Sequence, residues 1–166
     1  MMRRRELVRG MTGAVSGWLL WPAGAARAAG QLHKSRDEWR ALLTEEAFAV
    51  LFDEATEPAG SSPLDAEKRK GAYLCAACFQ PLFDSAQKFD SGTGWPSFFD
   101  VLPGAVGRKR DYRLILPRTE YHCARCGGHQ GHVFDDGPAP TGLRYCNNGI
   151  ALRFVPQGKP LPELRT

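Results

Sequence analysis

Past residue 28 the chain has no long apolar run, no internal repeat and no net charge, and each absence removes a class of protein. Of 22 basic and 18 acidic residues, five arginines and one glutamate fall in residues 1–28, which leaves seventeen of each sign in the remainder. A balanced domain offers no electrostatic footprint for a phosphate backbone, so no nucleic-acid partner is expected. No later segment is apolar enough to cross a bilayer. Two CxxC turns are the only internal similarity, which excludes a repeat architecture. Cysteine is scarce, five residues in 166, and all five lie in the later part of the chain. That length holds one domain with a real core, and the cysteine placement fits a single metal-stapled module.

The N-terminus reads as an address. Arg4-Arg5-Glu6-Leu7-Val8-Arg9 has the twin-arginine shape, two arginines followed by a spacer, two apolar residues and a base. A modest apolar run from Met11 to Ala26 leads to Ala26-Arg27-Ala28, an A-x-A type cleavage site. Residues 1–28 are therefore expected to be a signal peptide and residues 35–166 the working domain, exported to the periplasm with no stable membrane span after cleavage. The alternative is an N-terminal anchor, for which the run is short and rich in glycine and alanine. Twin-arginine export carries folded proteins, so thiolates loaded with metal in the cytoplasm would arrive protected from oxidation.

After the address, Ser35-Arg36-Asp37-Glu38 has the form of a capping box, and Trp39, Leu42 and Leu43 give one apolar helical face. Thr44-Glu45-Glu46 starts a second helix with Phe48, Leu51 and Phe52 as its stripe. Residues 56–62 read as a turn-rich linker and 63–70 as a solvated short helix or loop. From Gly71 the pattern shortens to strands: 72–74, 81–83, 112–116, 120–122, 131–134, 143–145 and 151–155, each bounded by Gly, Pro, Asp or Asn. Short strands with no helix between them predict a mainly β, antiparallel domain preceded by short helices.

Cys75-Ala-Ala-Cys78 and Cys123-Ala-Arg-Cys126 carry the strongest chemical signal. Two such pairs far apart in sequence are what one tetrahedral zinc ion requires, since each pair reaches the metal from a tight turn. The alternative is a pair of disulfides, which would close strained, reducible loops. A four-sulfur site is closed, with no vacancy for water, so the metal is expected to be structural, one per chain.

Cys146 is the cysteine left over. An ordinary thiol, with a pKa of about 8.5, is only a few per cent thiolate at neutral pH. Arg144, two residues back on the same strand, shares a face with Cys146 and is expected to lower its pKa. The alternative is a buried structural thiol, against which stand the polar neighbours Arg144, Asn147 and Asn148. His129 and His132 are candidate proton donors, or else additional ligands or surface histidines. His122 is expected to be structural. Glycines flank Thr93 and a proline follows Trp95, so this loop presents an aromatic ring, either to the core or as a wall against a small apolar group.

Taken in order, Cys-x-x-Cys, Ser91-Gly92-x-Gly94-Trp95-Pro96-Ser97-Phe98, Cys-x-x-Cys, Gly131-His132-Val133-Phe134 and Arg144-Tyr145-Cys146-x-Asn148 resemble the B-class methionine sulfoxide reductases, from about Thr44 to Val155. The resemblance implies a zinc-stapled β fold of the Mss4-like or β-tent type. It implies zinc ligands Cys75, Cys78, Cys123 and Cys126 and a nucleophile Cys146. Trp95 would receive the substrate methyl group and Phe134 would contact substrate, with His129, His132, Arg144 and Asn148 at polar pocket positions. It implies action on the R epimer of methionine sulfoxide, mainly in oxidised proteins or peptides, through a sulfenic acid on Cys146.

One departure stands out. Many members carry a resolving cysteine where this chain has Thr93, and every other cysteine here is committed to metal. A single-cysteine cycle is therefore expected, with an external thiol or thioredoxin-like partner as reductant. Two other readings compete: a zinc-stapled module that only binds, and a thiol redox sensor. The first would not need Cys146, and the second would not need Trp95.

Overall fold

The computed structural model describes residues 30–114 and 116–166. The expected signal segment, with its twin-arginine and A-x-A motifs, lies outside the described residues.

Ser35 starts α1 (Arg36–Leu42) with the full capping box: its Oγ accepts from Glu38 N at 3.3 Å, and Glu38 Oε2 accepts from Ser35 N at 2.7 Å. Two orphan donors of the first turn are thereby satisfied. Thr44 caps α2 (Glu45–Asp53) through an Oγ1 bond from Ala47 N at 3.2 Å. The helices bury Trp39, Phe48, Val50 and Leu51, with the Trp39 and Phe52 rings stacked at 5.1 Å. Among the described residues no helix is long and apolar enough to cross a membrane.

The rest is antiparallel sheet. β1 (Gly71–Cys75) lies between β2 (Pro81–Asp84) and the last strand, Leu152–Pro156, in a three-stranded sheet. The larger sheet is formed by β3 (Lys88–Phe89), β4 (Ser97–Phe98), β5 (Val106–Asp111), β6 (Arg118–Cys123), β7 (His129–Phe134) and β8 (Arg144–Asn147), in the order β3-β4-β8-β7-β6-β5. Leu152–Pro156 is β9. Between the sheets lies an aromatic core: Phe83 stacks on Phe98 at 4.0 Å, and Tyr121 meets Tyr145 edge to face at 5.2 Å. All four rings are at most 1 % exposed, and each contributes roughly 2 kcal/mol of transfer free energy. The expected architecture, mainly antiparallel β behind two short helices, is the one observed.

Three local expectations differ. Of the expected strand 112–116, the described residues 112–114 and 116 are not in a strand; Tyr112, Leu114 and Leu116 are 73 %, 56 % and 77 % exposed in the connection between β5 and β6. The strand that pairs with β6 is the polar run Val106–Asp111, in register from Val106 opposite Cys123 to Asp111 opposite Arg118. It is an edge strand, where charged side chains are favoured because they discourage pairing with other chains. Residues 56–62 are not a solvated linker, since Glu57 and Ser62 are buried against the turn Gly149–Ala151. Residues 63–70 form turns rather than a helix.

Register is what positions the site. Cys146 on β8 lies opposite Ser97 on β4 and opposite His132 on β7, and His132 lies opposite Glu120 on β6. Directly opposed residues share a face, so one row of side chains crosses four strands. Tyr121 pairs with Gly131 but His122 pairs with His129, so Gln130 is an extra residue in β7. This β-bulge reverses the alternation and brings His129 to the same face as His132. β7 and β8 also approach closely: a Cβ at Gly131 would lie 1.9 Å from the Cys146 carbonyl oxygen.

Candidate active site

The two CxxC turns face each other. Cys75 Sγ and Cys126 Sγ are 3.7 Å apart, Cys78 Sγ and Cys123 Sγ are 3.6 Å apart, and all four sulfurs lie within 4.8 Å of one another. A tetrahedron with metal–sulfur bonds of about 2.3 Å has edges of about 3.8 Å, so the donor set fits one metal ion. No cysteine is bridged. The turns are built alike: Phe79 N bonds Cys75 O and Gly127 N bonds Cys123 O, both at 2.9 Å, and Phe79 and Gly127 both take left-handed backbone (φ 65° and 73°). Gln130 Nε2 adds an N–H bond to Cys75 Sγ at 3.5 Å.

Cys146 stands apart from this cluster, in a cavity of about 130 Å³ that it shares with Trp95, Phe134, His132, Arg118 and Asn148. The Trp95 loop is held by Gly94, whose φ of 83° and close approach to Gly60 N leave no room for a side chain; Gly60 N donates to Gly94 O at 2.7 Å. Arg144 does not point freely at the thiol. Its guanidinium lies over the Phe134 ring at 4.4 Å and is held by Asp136.

The electrostatics run against one expectation. Burial pushes the Cys146 thiol up from its ordinary value, and the Arg144 charge and a Thr93 hydroxyl bond only partly offset it, while Asp136 adds to the rise. The resting group is a thiol, with its proton in place. His132 is also governed by burial, which lowers its pKa despite the neighbouring Asp111 carboxylate. The neutral ring donates from Nε2 to Asp111 Oδ2 at 2.7 Å. Asp111 itself is held below the usual carboxylate range by the Arg113 N–H, His132 and Arg118.

His129 does not line the cavity. It is 2 % exposed, edge to face with His132 at 5.5 Å, with Nδ1 2.7 Å from Glu120 Oε1. Its Nε2 is buried with no hydrogen-bond partner. Burial alone would raise Glu120, yet hydrogen bonds from His122 and His129 outweigh it and bring the carboxyl down to about 2. Asn148 lines the cavity, but its Oδ1 accepts from Glu57 N at 3.0 Å and its Nδ2 donates to Gln130 O at 3.0 Å.

Sequence reasoning missed Arg118 and Thr56, which line the cavity, Asp111, which holds His132 there, and Glu120 and Asp136, which hold His129 against His132 and Arg144 over Phe134. Glu120 and Arg118 could have been found, because both lie on the strand leading into the second CxxC turn.

An unbridged thiol in a cavity, kept separate from a four-sulfur cluster that fits a metal ion, is an arrangement suited to a metal-stapled thiol oxidoreductase. Comparison with known proteins narrows this. The SelR domain family matches residues 43–156, and the chain belongs to that family. It is 52 % identical over 124 residues to the peptide methionine sulfoxide reductase MsrB of Methanosarcina barkeri, covering 74 % of this chain and 87 % of that protein. Against the MsrB of Agrobacterium fabrum the identity is 51 % over 127 residues, covering 76 % and 94 %. Against the MsrB of Leifsonia xyli it is 52 % over 129 residues, covering 76 % and 93 %.

Proposed function

We propose that this protein reduces the R epimer of methionine sulfoxide in oxidised proteins and peptides, with Cys146 as the reacting group. The observation that carries the reading is the position of Cys146: an unbridged thiol at the wall of a small cavity faced by Trp95 and Phe134. That cavity suits a methyl group and a short sulfur-bearing stem. In the reaction the sulfur–oxygen bond of the sulfoxide breaks and an oxygen–sulfur bond to Cys146 forms. The sulfoxide sulfur gains two electrons, Cys146 loses two, and the thiol proton ends on the oxygen as Cys146–SOH. No net proton is needed, which suits a thiol whose pKa is raised.

His132 stays neutral and turned toward Asp111, so its part is to orient the polar side of the cavity with Arg118 while the oxygen transfers. Trp95 and Phe134 hold the methyl group and the stem, which leaves the oxygen one direction to face. An external thiol or thioredoxin-like protein then attacks the sulfenic acid, water leaves, and a second thiol releases Cys146.

Cys75, Cys78, Cys123 and Cys126 would hold zinc, whose contribution is structural: it ties β1 and β2 to β6 and β7. Residues 1–28 would direct export through the twin-arginine route, and fusion of residues 1–30 to a reporter tests that: a cytoplasmic reporter ends the idea. A thiol sensor would carry an exposed cysteine of low pKa, and Cys146 is half-buried and pushed the other way.

The deciding assay presents both epimers of a methionine-sulfoxide peptide with dithiothreitol as reductant. Turnover of the R form alone, lost in Cys146→Ser, is the expected result. Turnover of the S form, or activity retained without Cys146, defeats the reading.

A further inference from the structure

We propose that Glu57 is a positioning residue for the sulfoxide cavity: its buried carboxylate fixes Trp95 and Asn148 relative to Cys146. The inference rests on the functional reading above and concerns how the cavity keeps its shape.

Glu57 is 8 % exposed and, with its neighbour Thr56, sits far in sequence from the rest of the site. Its Oε1 accepts from Gly149 N at 2.6 Å and its Oε2 from Ile150 N at 2.8 Å. These are the first N–H groups of the 3₁₀ turn Gly149–Ala151 that follows β8, the strand carrying Cys146. Asn148 precedes that turn and makes no side-chain cap on it, so the two N–H groups depend on Glu57. Charge-assisted bonds to backbone N–H groups are about twice as strong as neutral ones.

The main chain of the same residue works on the cavity directly. Glu57 N donates to Asn148 Oδ1 at 3.0 Å, and Glu57 O accepts from Trp95 Nε1 at 3.2 Å. Asn148 in turn donates from its backbone N to Gln130 O at 2.8 Å, on the strand that carries His132. One residue therefore ties the Trp95 loop, the end of the Cys146 strand and the His132 strand together. The clamp has no slack. A Cβ at Gly149 would lie 1.9 Å from Ser62 Oγ and 3.3 Å from Glu57 Oε1.

Loss of the carboxylate frees residue 57 to drift from the turn, and its carbonyl carries the Trp95 indole with it. The ring that faces the methyl group then loses its fixed distance from Cys146. A pocket wall that sets a one-methylene difference discriminates by roughly 10- to 200-fold, so discrimination is where the drift registers.

The test uses the full chain carrying Glu57→Gln or Glu57→Asp, with dithiothreitol as reductant. Substrates are the R-sulfoxides of N-acetylmethionine amide and of its S-ethyl analogue. Glu57→Gln keeps the shape of the side chain but turns an N–H₂ toward one donor; Glu57→Asp keeps the charge but falls short of the turn. Both are expected to raise KM for the methyl substrate about tenfold and to cut the methyl-over-ethyl preference about tenfold, with kcat within about threefold. Thermal unfolding is followed in parallel, and rates are taken well below the midpoint. A merely structural Glu57 predicts a lower midpoint with KM and preference unchanged, and that result overturns the proposal. A wild-type protein inert toward both sulfoxides overturns the functional reading, and this inference with it.

Discussion

Arg144 and Asp136 form a two-pronged ion pair, with Nε donating to Oδ1 and NH2 to Oδ2 at 2.8 Å each. The arginine two residues from Cys146 is therefore shared between a carboxylate and the thiol. It lowers the thiol pKa through its charge and a hydrogen bond, but burial wins and Asp136 opposes it.

This sets the signs for a titration. Alkylation of Cys146 by iodoacetamide, followed by mass spectrometry, should rise through an inflection above that of a free thiol, about 8.5. Arg144→Ala removes a lowering charge and should move the inflection further up. Asp136→Asn removes a raising charge and should move it down. An inflection below the free-thiol value in the wild type would mean that Arg144 dominates after all.

Glu120 supplies a pH dependence of stability. Burial would raise its carboxyl, but the His122 and His129 bonds bring it to about 2 in the fold, against an ordinary 4.5. A depressed carboxyl contributes stability that is complete above the unfolded value and is lost as pH falls through the folded one. That difference is worth roughly 3 kcal/mol. The thermal midpoint of the wild type should therefore fall between pH 4.5 and 2, while Glu120→Gln should start lower at neutral pH and change less over that window. Parallel curves for the two proteins would remove Glu120 from the account.

How much of this could be read from the chain alone depends on range. The CxxC pairs and the Ser35 capping box are local patterns whose chemistry needs no fold to be seen, and both helices start where Ser35 and Thr44 mark them. Strand β5 was illegible because an edge strand carries the charged residues of a loop, while Tyr112 and Leu114 look apolar enough for a strand yet stay exposed. His129 and His132 three apart on a strand should face opposite ways; the bulge at Gln130 has no residue signature, so their shared face emerged only from the register with β6. Glu57 and Asp136 act through contacts 92 and eight positions away in sequence, and no short motif announces such a contact.

The sulfur tetrad predicts a fold that depends on metal. Structural zinc sites of this kind contribute about 10 kcal/mol or more, comparable to the whole stability of a small domain. Prolonged chelation under reducing conditions should release one zinc ion per chain and unfold the protein, as followed by circular dichroism. Cys123→Ser should express as an unstable, metal-poor protein. Retention of the native spectrum after complete metal loss would show that the aromatic core alone suffices.

Thr93 occupies the loop position at which many relatives of this family carry a second cysteine, and its hydroxyl lies close enough to Cys146 to lower the thiol pKa. The loop is pinned there by a chain of hydroxyls: Ser91 Oγ is 2.8 Å from Thr93 Oγ1 and 2.7 Å from Ser97 Oγ, and Ser97 is the β4 residue opposite Cys146. A thiol at position 93 would thus sit within reach of the sulfenic sulfur and could expel water to form a disulfide. Thr93→Cys, given one equivalent of sulfoxide substrate without reductant, should yield a bridge between residue 93 and Cys146 by mass spectrometry. The wild type under the same treatment should keep a sulfenic acid that dimedone labels. The variant should also gain turnover with a thioredoxin that attacks disulfides and lose dependence on small thiols. Persistence of the dimedone adduct in Thr93→Cys would mean that the loop holds position 93 at the wrong angle, and that conversion to a two-cysteine cycle needs more than the second sulfur.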